Sequence, residues 1–480
     1  MPSPNRMLRW LALTLVAASC DAPLAGGDEP LEPLTQVMSA LTVNNSTGRS
    51  ETFIASNTID TSNEFFQSLG TNGRACVTCH QPSDNWTIIP AHLQARFDAS
   101  DGTDPVFRTN DGSNSPLADV TTVAARRTAY SMLLTKGLIR VGLRIPAGAE
   151  FTLDAVNDPY NFASAVNGLS LFRRPLPTTN LSFLSTLMWD GRETFRDAAS
   201  PDCLKPPLDP SVCFASLTFD LLDQANGATL GHAQGAQPLT AAQRASIVQF
   251  ERQLFTAQTF DVNAKELDAA HGGGGPSQLS SKGFYFGIND VVSGDYRTGA
   301  AFSPAVFTLY ALWANLPGGG TQAARSTVAR GQVLFNTKPI AISGVKGIND
   351  DLGVAVLNGT CTTCHDTPSA GNHSIPAPLD IGLTDASRRT PDMPLYTLRR
   401  TSNGETIQTT DPGRALITGK WKDIGRFKGP ILRALSGRAP YFHNGSAADL
   451  GAVVDFYNTR FGVGITAAEK ADLIAFLQTL

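Results

Sequence analysis

Apolar residues recur at helical spacing in two stretches that open alike. Thr240-Ala241-Ala242-Gln243-Arg244 leads into Ile247, Val248, Phe250 and Leu254, and Thr466-Ala467-Ala468-Glu469-Lys470 leads into Leu473, Ile474, Phe476 and Leu480. In each, threonine is placed to cap a helix and Gln243 or Glu469 to reach back to it, a capping box. An aromatic-containing helical stretch lies well upstream of each: Glu64-Phe65-Phe66 for one, Gly331-Gln332-Val333-Leu334-Phe335 for the other. This repetition predicts a duplicated helical plan. Residues 100–120 are rich in Gly, Asp, Asn and Ser and read as a loop. Short apolar runs at 138–143 and 151–153 predict a small β-hairpin inserted in the first half. His271-Gly272-Gly273-Gly274-Gly275-Pro276 predicts a flexible linker, followed by loop and one helix over 304–315.

The chain starts with a different pattern. Arg6 and Arg9 precede an apolar run from Leu11 to Ala18, too short to span a bilayer as a mature helix. It ends in Ala17-Ala18-Ser19-Cys20, which resembles a bacterial lipobox and would leave Cys20 lipidated as a membrane tether. The alternative is an ordinary cleaved signal peptide, and either reading exports the chain to the periplasm or cell envelope. Residues 21–50, rich in Gly, Pro, Ser, Thr and Asn, read as a flexible tether. No later stretch is long and apolar enough for a transmembrane helix.

Hydrophobic residues make up 42% of the 480 and charged residues 17%, an ordinary globular mix, and the net charge of -4 gives no footprint for nucleic acid. The length suits two or three domains. Forty-three glycines and 30 prolines point to a loop-rich fold.

Seven cysteines and seven histidines carry the chemistry. Cys76-Val77-Thr78-Cys79-His80 and Cys361-Thr362-Thr363-Cys364-His365 both read C-x-x-C-H, the pattern for covalent attachment of a c-type haem. In such a site each cysteine forms a thioether and the histidine supplies the proximal nitrogen to iron. The competing readings are one structural zinc site shared by the four cysteines, or two thiol redox pairs. The sequence distance between the pairs, and a histidine after each, weigh against both. Cys203 and Cys213 are close in a Pro/Asp-rich segment and would form a disulfide closing a surface loop.

A helix, a haem motif and a closing helix, present twice, make a mainly α protein of two cytochrome c-like haem domains in tandem. The expected boundaries are 51–270 for the first, with insertions, 271–325 for a linker with a connecting helix, and 326–480 for the second.

Two further stretches are specific: Trp189-Asp190-Gly191-Arg192, and Phe427-Lys428-Gly429-Pro430-Ile431-Leu432-Arg433 continuing to Ala439-Pro440-Tyr441-Phe442-His443-Asn444-Gly445-Ser446. With the two haem motifs they resemble the bacterial di-haem cytochrome c peroxidase and MauG family, from about residue 50 to the end. The resemblance implies a peroxidatic haem on His80, where hydrogen peroxide binds, and an electron-entry haem on His365. It places Trp189 between them. It makes Gln224 a distal residue, and His232 and Gln234 stand where the family has a distal glutamate. It offers His92 as a removable sixth ligand, Lys428 and Arg433 as partners of haem propionates, and His443 as an interface histidine. It also suggests one calcium ion on backbone oxygens near Pro440.

Where the peroxidases have a methionine as sixth ligand of the second haem, this chain has Tyr457, as MauG does; Met393 is the one methionine of the second haem domain. The partners implied are hydrogen peroxide and a small electron donor, a cytochrome c or a cupredoxin. The alternatives are a MauG-like oxidase acting on a protein or organic substrate through high-valent iron, and a non-enzymatic di-haem electron carrier.

Overall fold

The computed structural model describes residues 37–39, 41–194 and 210–480. Gln36–Leu480 forms one compact unit. The leader with Cys20, and Cys203 with its proposed disulfide, lie outside the described residues.

Both capping boxes form. The Thr240 hydroxyl accepts from Gln243 N and caps helix Ala241–Arg252, and Thr466 accepts from Glu469 N and caps helix Ala467–Gln478. Each helix buries its apolar face against the aromatic stretch of its own half. Phe250 meets Phe65 and Phe66 at 5.1 and 5.3 Å between ring centroids. Phe476 meets Phe335 at 5.8 Å. The upstream stretches differ. In the second half it belongs to a full helix, Thr321–Thr337, which crosses Ala467–Gln478 so closely that a Cβ on Gly331 would sit 2.0 Å from the Asp472 carbonyl oxygen. In the first half it is a single 3₁₀ turn, Glu64–Phe66, capped by Asn63.

The expectation of a mainly α protein is corrected: 31% of the structure is helix and 18% is strand. The sheets are small, and they form from segments far apart in sequence, which periodicity within one segment cannot show. Residues 42–50, read as the end of a tether, are mostly strand. Thr42–Asn45 and Gly48–Phe53 form a hairpin that continues through Phe255–Asp261 and Lys265–Glu266 into a four-stranded antiparallel sheet.

The apolar runs near 138–157 are strands, but they do not pair with each other. Ile139–Leu143 pairs with Leu169–Arg173. Phe151–Asn157 pairs with Leu395–Arg400, which pairs in turn with Thr406–Thr409. Phe151 joins Tyr396, Leu398 and Leu416 in a buried cluster drawn from both halves. That burial outweighs the short connection a local hairpin would have had.

The segment read as a flexible linker is part of the second half's core. Val306, Phe307, Leu309, Tyr310 and Trp313 share one buried cluster with Phe335 and Phe476. Tyr310 stacks on Trp313 at 4.5 Å, and the expected helix over 304–315 is only a 3₁₀ turn, Ala311–Trp313. The glycines serve close approach. Gly272 has an ordinary φ of -66°, yet a Cβ there would lie 2.2 Å from the Leu267 carbonyl oxygen and 2.7 Å from the Trp313 ring. Gly272→Ala should therefore lower unfolding stability by about 2 kcal/mol, because backbone cannot give way as a side-chain tip can. Thermal unfolding checks this, since a true linker would leave the transition unmoved.

Candidate haem sites

Both C-x-x-C-H motifs fold alike. Cys76–Thr78 and Cys361–Thr363 are single 3₁₀ turns, and in each the residue before the first cysteine, Ala75 or Thr360, donates its amide to the threonine hydroxyl of the turn. The turn presents both cysteines and the histidine to one side. His80 Nδ1–H donates to the Trp86 carbonyl at 3.2 Å, and His365 Nδ1–H to the Gly371 carbonyl at 2.6 Å. A carbonyl on Nδ1 fixes the tautomer and leaves Nε2 as the ligand atom. Burial pulls both imidazoles down to about 4, so they are neutral at physiological pH, the form that binds a metal. Burial pushes the thiols of Cys76, Cys361 and Cys364 up to about 12.

Each motif opens onto its own cavity. The first, of about 560 Å³, is lined by Cys76, Cys79 and His80; the second, of about 250 Å³, by Cys361, Cys364 and His365. One zinc site made of all four cysteines is thereby ruled out by geometry. The cavities share a wall that includes Arg174, Leu176, Trp189, Lys428, Ile431 and Arg438.

Trp189 is held in that wall from several sides. Its Nε1–H donates to the Arg174 carbonyl at 2.7 Å, and its own carbonyl accepts from Lys428 N at 2.9 Å. Its ring meets His443 edge-on at 6.1 Å. Asp190, fully buried, accepts from Arg173 Nη1 at 2.5 Å and from Arg192 Nε at 3.0 Å. Arg173 also makes a two-point pair with Asp411 at 2.7 and 2.9 Å. Burial works against the charge on Asp190, but Arg173 and Arg192 hold its carboxyl below the ordinary range.

The cavities fit a cofactor that is apolar over its faces and anionic at one edge. Arg438 lines both, is buried, and has Nε and Nη2 without hydrogen-bond partners. Burial pulls it down to about 9 and Lys428 down to about 8, so both cations lack the anion that would sustain them. His443, buried in the second cavity and stacked on Phe427 at 4.0 Å, has both ring nitrogens unpartnered. Haem propionates answer such groups.

The sequence-derived candidates divide. Trp189, Gln224 and His232 line the first cavity and Tyr457 the second. Gln234 is exposed and outside the first cavity, with its carbonyl taken by the Thr71 hydroxyl. His92 lines neither cavity; its Nδ1 pairs with the buried Asp84 on a half-exposed ring. Arg433 is fully buried but lines neither cavity, its Nη1 reaching the Ser369 carbonyl at 3.4 Å; Arg438 occupies the shared wall instead. Pro440 lines the second cavity. Met393 packs with Met132, Leu138 and Phe172, away from it.

Two carboxyls at the first cavity escaped the sequence reading. Asp111 accepts from His232 Nδ1 and from Arg74 Nη1, and the hydrogen bond from His232 with the Arg74 guanidinium holds it below the ordinary carboxylate range despite its burial. It comes from the loop over 100–120, where nothing in the local pattern marks it. Glu251 does carry a mark. It lies as far beyond Thr240 as Leu477 lies beyond Thr466, so a carboxyl replaces a leucine on a cavity-facing helix position. Its Oε2 is buried without a partner, and burial raises the group to about 8.

A C-x-x-C turn that offers a neutral imidazole to an apolar cavity, with buried cations opposite, defines a c-type cytochrome centre. No protein-family model matches the chain. Relatives do. "Cytochrome-c peroxidase IdrP1" of Pseudomonas sp. (strain SCT) is 35% identical over 152 residues, 27% of this chain and 38% of that protein. IdrP1 of Denitromonas iodatirespirans is 32% identical over 146 residues, 27% of this chain and 39% of that protein. IdrP2 of the same organism is 32% identical over 141 residues, 25% of this chain and 36% of that protein. The matched part thus spans well under half the length of these relatives. A solved MauG-like protein associated with microbial copper homeostasis is 17% identical, with 65% of this chain and 76% of that one covered at a TM-score of 0.29. The chain is related to the cytochrome-c peroxidases, as its motifs imply, and c-type haem is the cofactor that goes with them.

Because Glu251 is raised above its unfolded value, it supports the fold fully below about pH 4.5, and that support is lost as pH rises through about 8. Glu251→Gln should therefore raise the melting temperature at pH 9 and leave it little changed at pH 4.5. Thermal unfolding of the holoprotein at both pH values checks the sign.

Proposed function

We propose that the protein is a di-haem c-type peroxidase that reduces hydrogen peroxide to water with electrons from a small redox protein. One haem is carried by Cys76, Cys79 and His80 and a second by Cys361, Cys364 and His365. The observation that carries this reading is the shared wall: two haem-attachment cavities meet at Trp189, and Trp189 is immobilised by hydrogen bonds on both its ring and its backbone. Export to the periplasm or cell envelope, with Cys20 as a lipid anchor, belongs to the same reading.

Haems held by His80 and His365 would supply the iron centres and relay the electrons of the redox partner. The chain's own residues do the rest. Two electrons and two protons convert one peroxide to two waters. Trp189 divides the path between the cavities into two shorter steps. His232 is the proton carrier: with Nδ1–H given to Asp111, its Nε2 is free to take a proton, the arrangement that orients a histidine base. Lys428 and Arg438 answer the propionates.

The second reading is a MauG-like oxidase, and one observation favours it. Tyr457 lines the His365 cavity, no methionine does, and no hydrogen bond holds its hydroxyl among the described residues. Burial keeps the phenol well above its ordinary range, so it becomes a phenolate only against a strong cation such as ferric iron. A phenolate favours ferric iron and lowers the potential, where a thioether raises it.

The test is haem content together with turnover. Haem should resist acid-acetone extraction and count two per chain by pyridine haemochrome; Cys364→Ala should lose most of one. Wild-type protein should consume peroxide with a reduced cytochrome. Trp189→Phe should keep both haems and slow turnover by about tenfold or more. Unchanged turnover would reduce Trp189 to a packing residue, and haem that extracts would overturn the whole assignment.

Tyr457→Met decides between the two enzyme readings. Spectroelectrochemical titration should show one haem potential rising markedly and the other unmoved. If neither moves, Tyr457 is not a ligand and the plain peroxidase reading stands.

A further inference from the structure

Asp290, Asp366 and His373 come together outside both cavities. One ligand-type atom from each lies within 4.8 Å of the other two. All three are buried, at 2%, 0% and 5% exposure. His373 Nδ1 and Asp366 Oδ2 are 2.9 Å apart, and Asp366 Oδ1 accepts from Ser374 N at 2.6 Å. Asp290 Oδ1 accepts from Val292 N, Ser293 N and the Ser293 hydroxyl, while Asp290 Oδ2 is buried with no partner. No lysine or arginine pairs with either carboxylate among the described residues; the sole ion-pair partner is His373. Two buried carboxylates facing one imidazole are short of positive charge, and an unanswered carboxylate oxygen is costly to bury.

We infer that Asp290, Asp366 and His373 bind a divalent cation, zinc by ligand chemistry. Two carboxylate oxygens and an imidazole suit zinc, and the imidazole disfavours calcium, which takes oxygen ligands. Asp366 can serve as ligand and, through Oδ2, orient the His373 ring.

The position gives the ion a structural task. The 366–374 loop carries Gly371, whose carbonyl orients His365. Asp290 lies in a separate segment that already touches this loop: Asn289 Nδ2 donates to the Asp366 carbonyl at 3.1 Å, and Gly287 N to the Ser374 carbonyl at 3.0 Å. A cation there clamps the two segments behind the proximal histidine. The inference is independent of the reaction proposed above.

The experiment uses holoprotein. Elemental analysis, with haem iron counted apart, should find about one zinc per chain. Dipicolinate should remove it and lower the melting temperature, and added zinc sulfate should restore it where calcium chloride does not. Asp290→Asn should keep its haem but weaken zinc by about 100-fold or more, so that neither chelator nor zinc moves its melting temperature. If that variant does not fold, zinc-edge absorption on the wild type decides: nitrogen and oxygen neighbours with one imidazole support the site, and sulfur neighbours overturn it. Wild-type protein that holds iron alone, with zinc sulfate leaving its melting temperature unmoved, also overturns it, and His373 is then a proton-bearing bridge between the carboxylates.

Discussion

The buried ion cluster of Arg173 with Asp190 and Asp411 is the constraint on which the rest depends. Asp190 belongs to the Trp189 turn, Arg173 ends a strand of the first half, and Asp411 comes from the second half. One guanidinium therefore ties the turn to both halves, and Arg414 adds to it by donating to the Asp190 carbonyl at 3.0 Å. A buried pair is a weak source of net stability, because desolvation offsets most of its attraction. Its geometry is strict, however. Removing one partner leaves a charge without an answer, so Trp189 is held where the cavities meet.

The duplicated plan is used unequally. Both halves share a capped closing helix and a C-x-x-C-H turn, and they differ in what faces the cavity. The first has Glu251, His232 and Asp111, polar groups fit to hold and move protons. The second has Leu477 in place of Glu251, along with Tyr457 and a smaller volume. Under the proposed peroxidase reading, this division would serve chemistry at one centre and electron entry at the other. It arises from single side chains on similar backbones, not from a change of architecture.

The shared wall also explains why one compact unit results from two repeats. Strand Phe151–Asn157 of the first half pairs with Leu395–Arg400 of the second, and Lys428 and Arg438, both from the second, face the first cavity as well as their own. Charged groups from each half are thus buried against the other.

Local chemistry was legible from the sequence alone. C-x-x-C-H is a contiguous ligand set, a capping box spans four residues, and Trp189-Asp190-Gly191-Arg192 is one turn; each is specified by neighbours in the chain. The sequence also held a sign that went unread, the glutamate at position 251 where the repeat has leucine. Other features were settled by tertiary structure because their partners are far apart. Phe151 finds its strand partner, Arg400, 249 positions away, and Gly272 serves packing against Trp313 instead of flexibility. His232 is oriented by Asp111, 121 positions away. His92 and Gln234 have the residue types that ligation and acid–base work require, but backbone course turned them elsewhere. Residue type and spacing determine which groups can react, and only packing decides which of them meet.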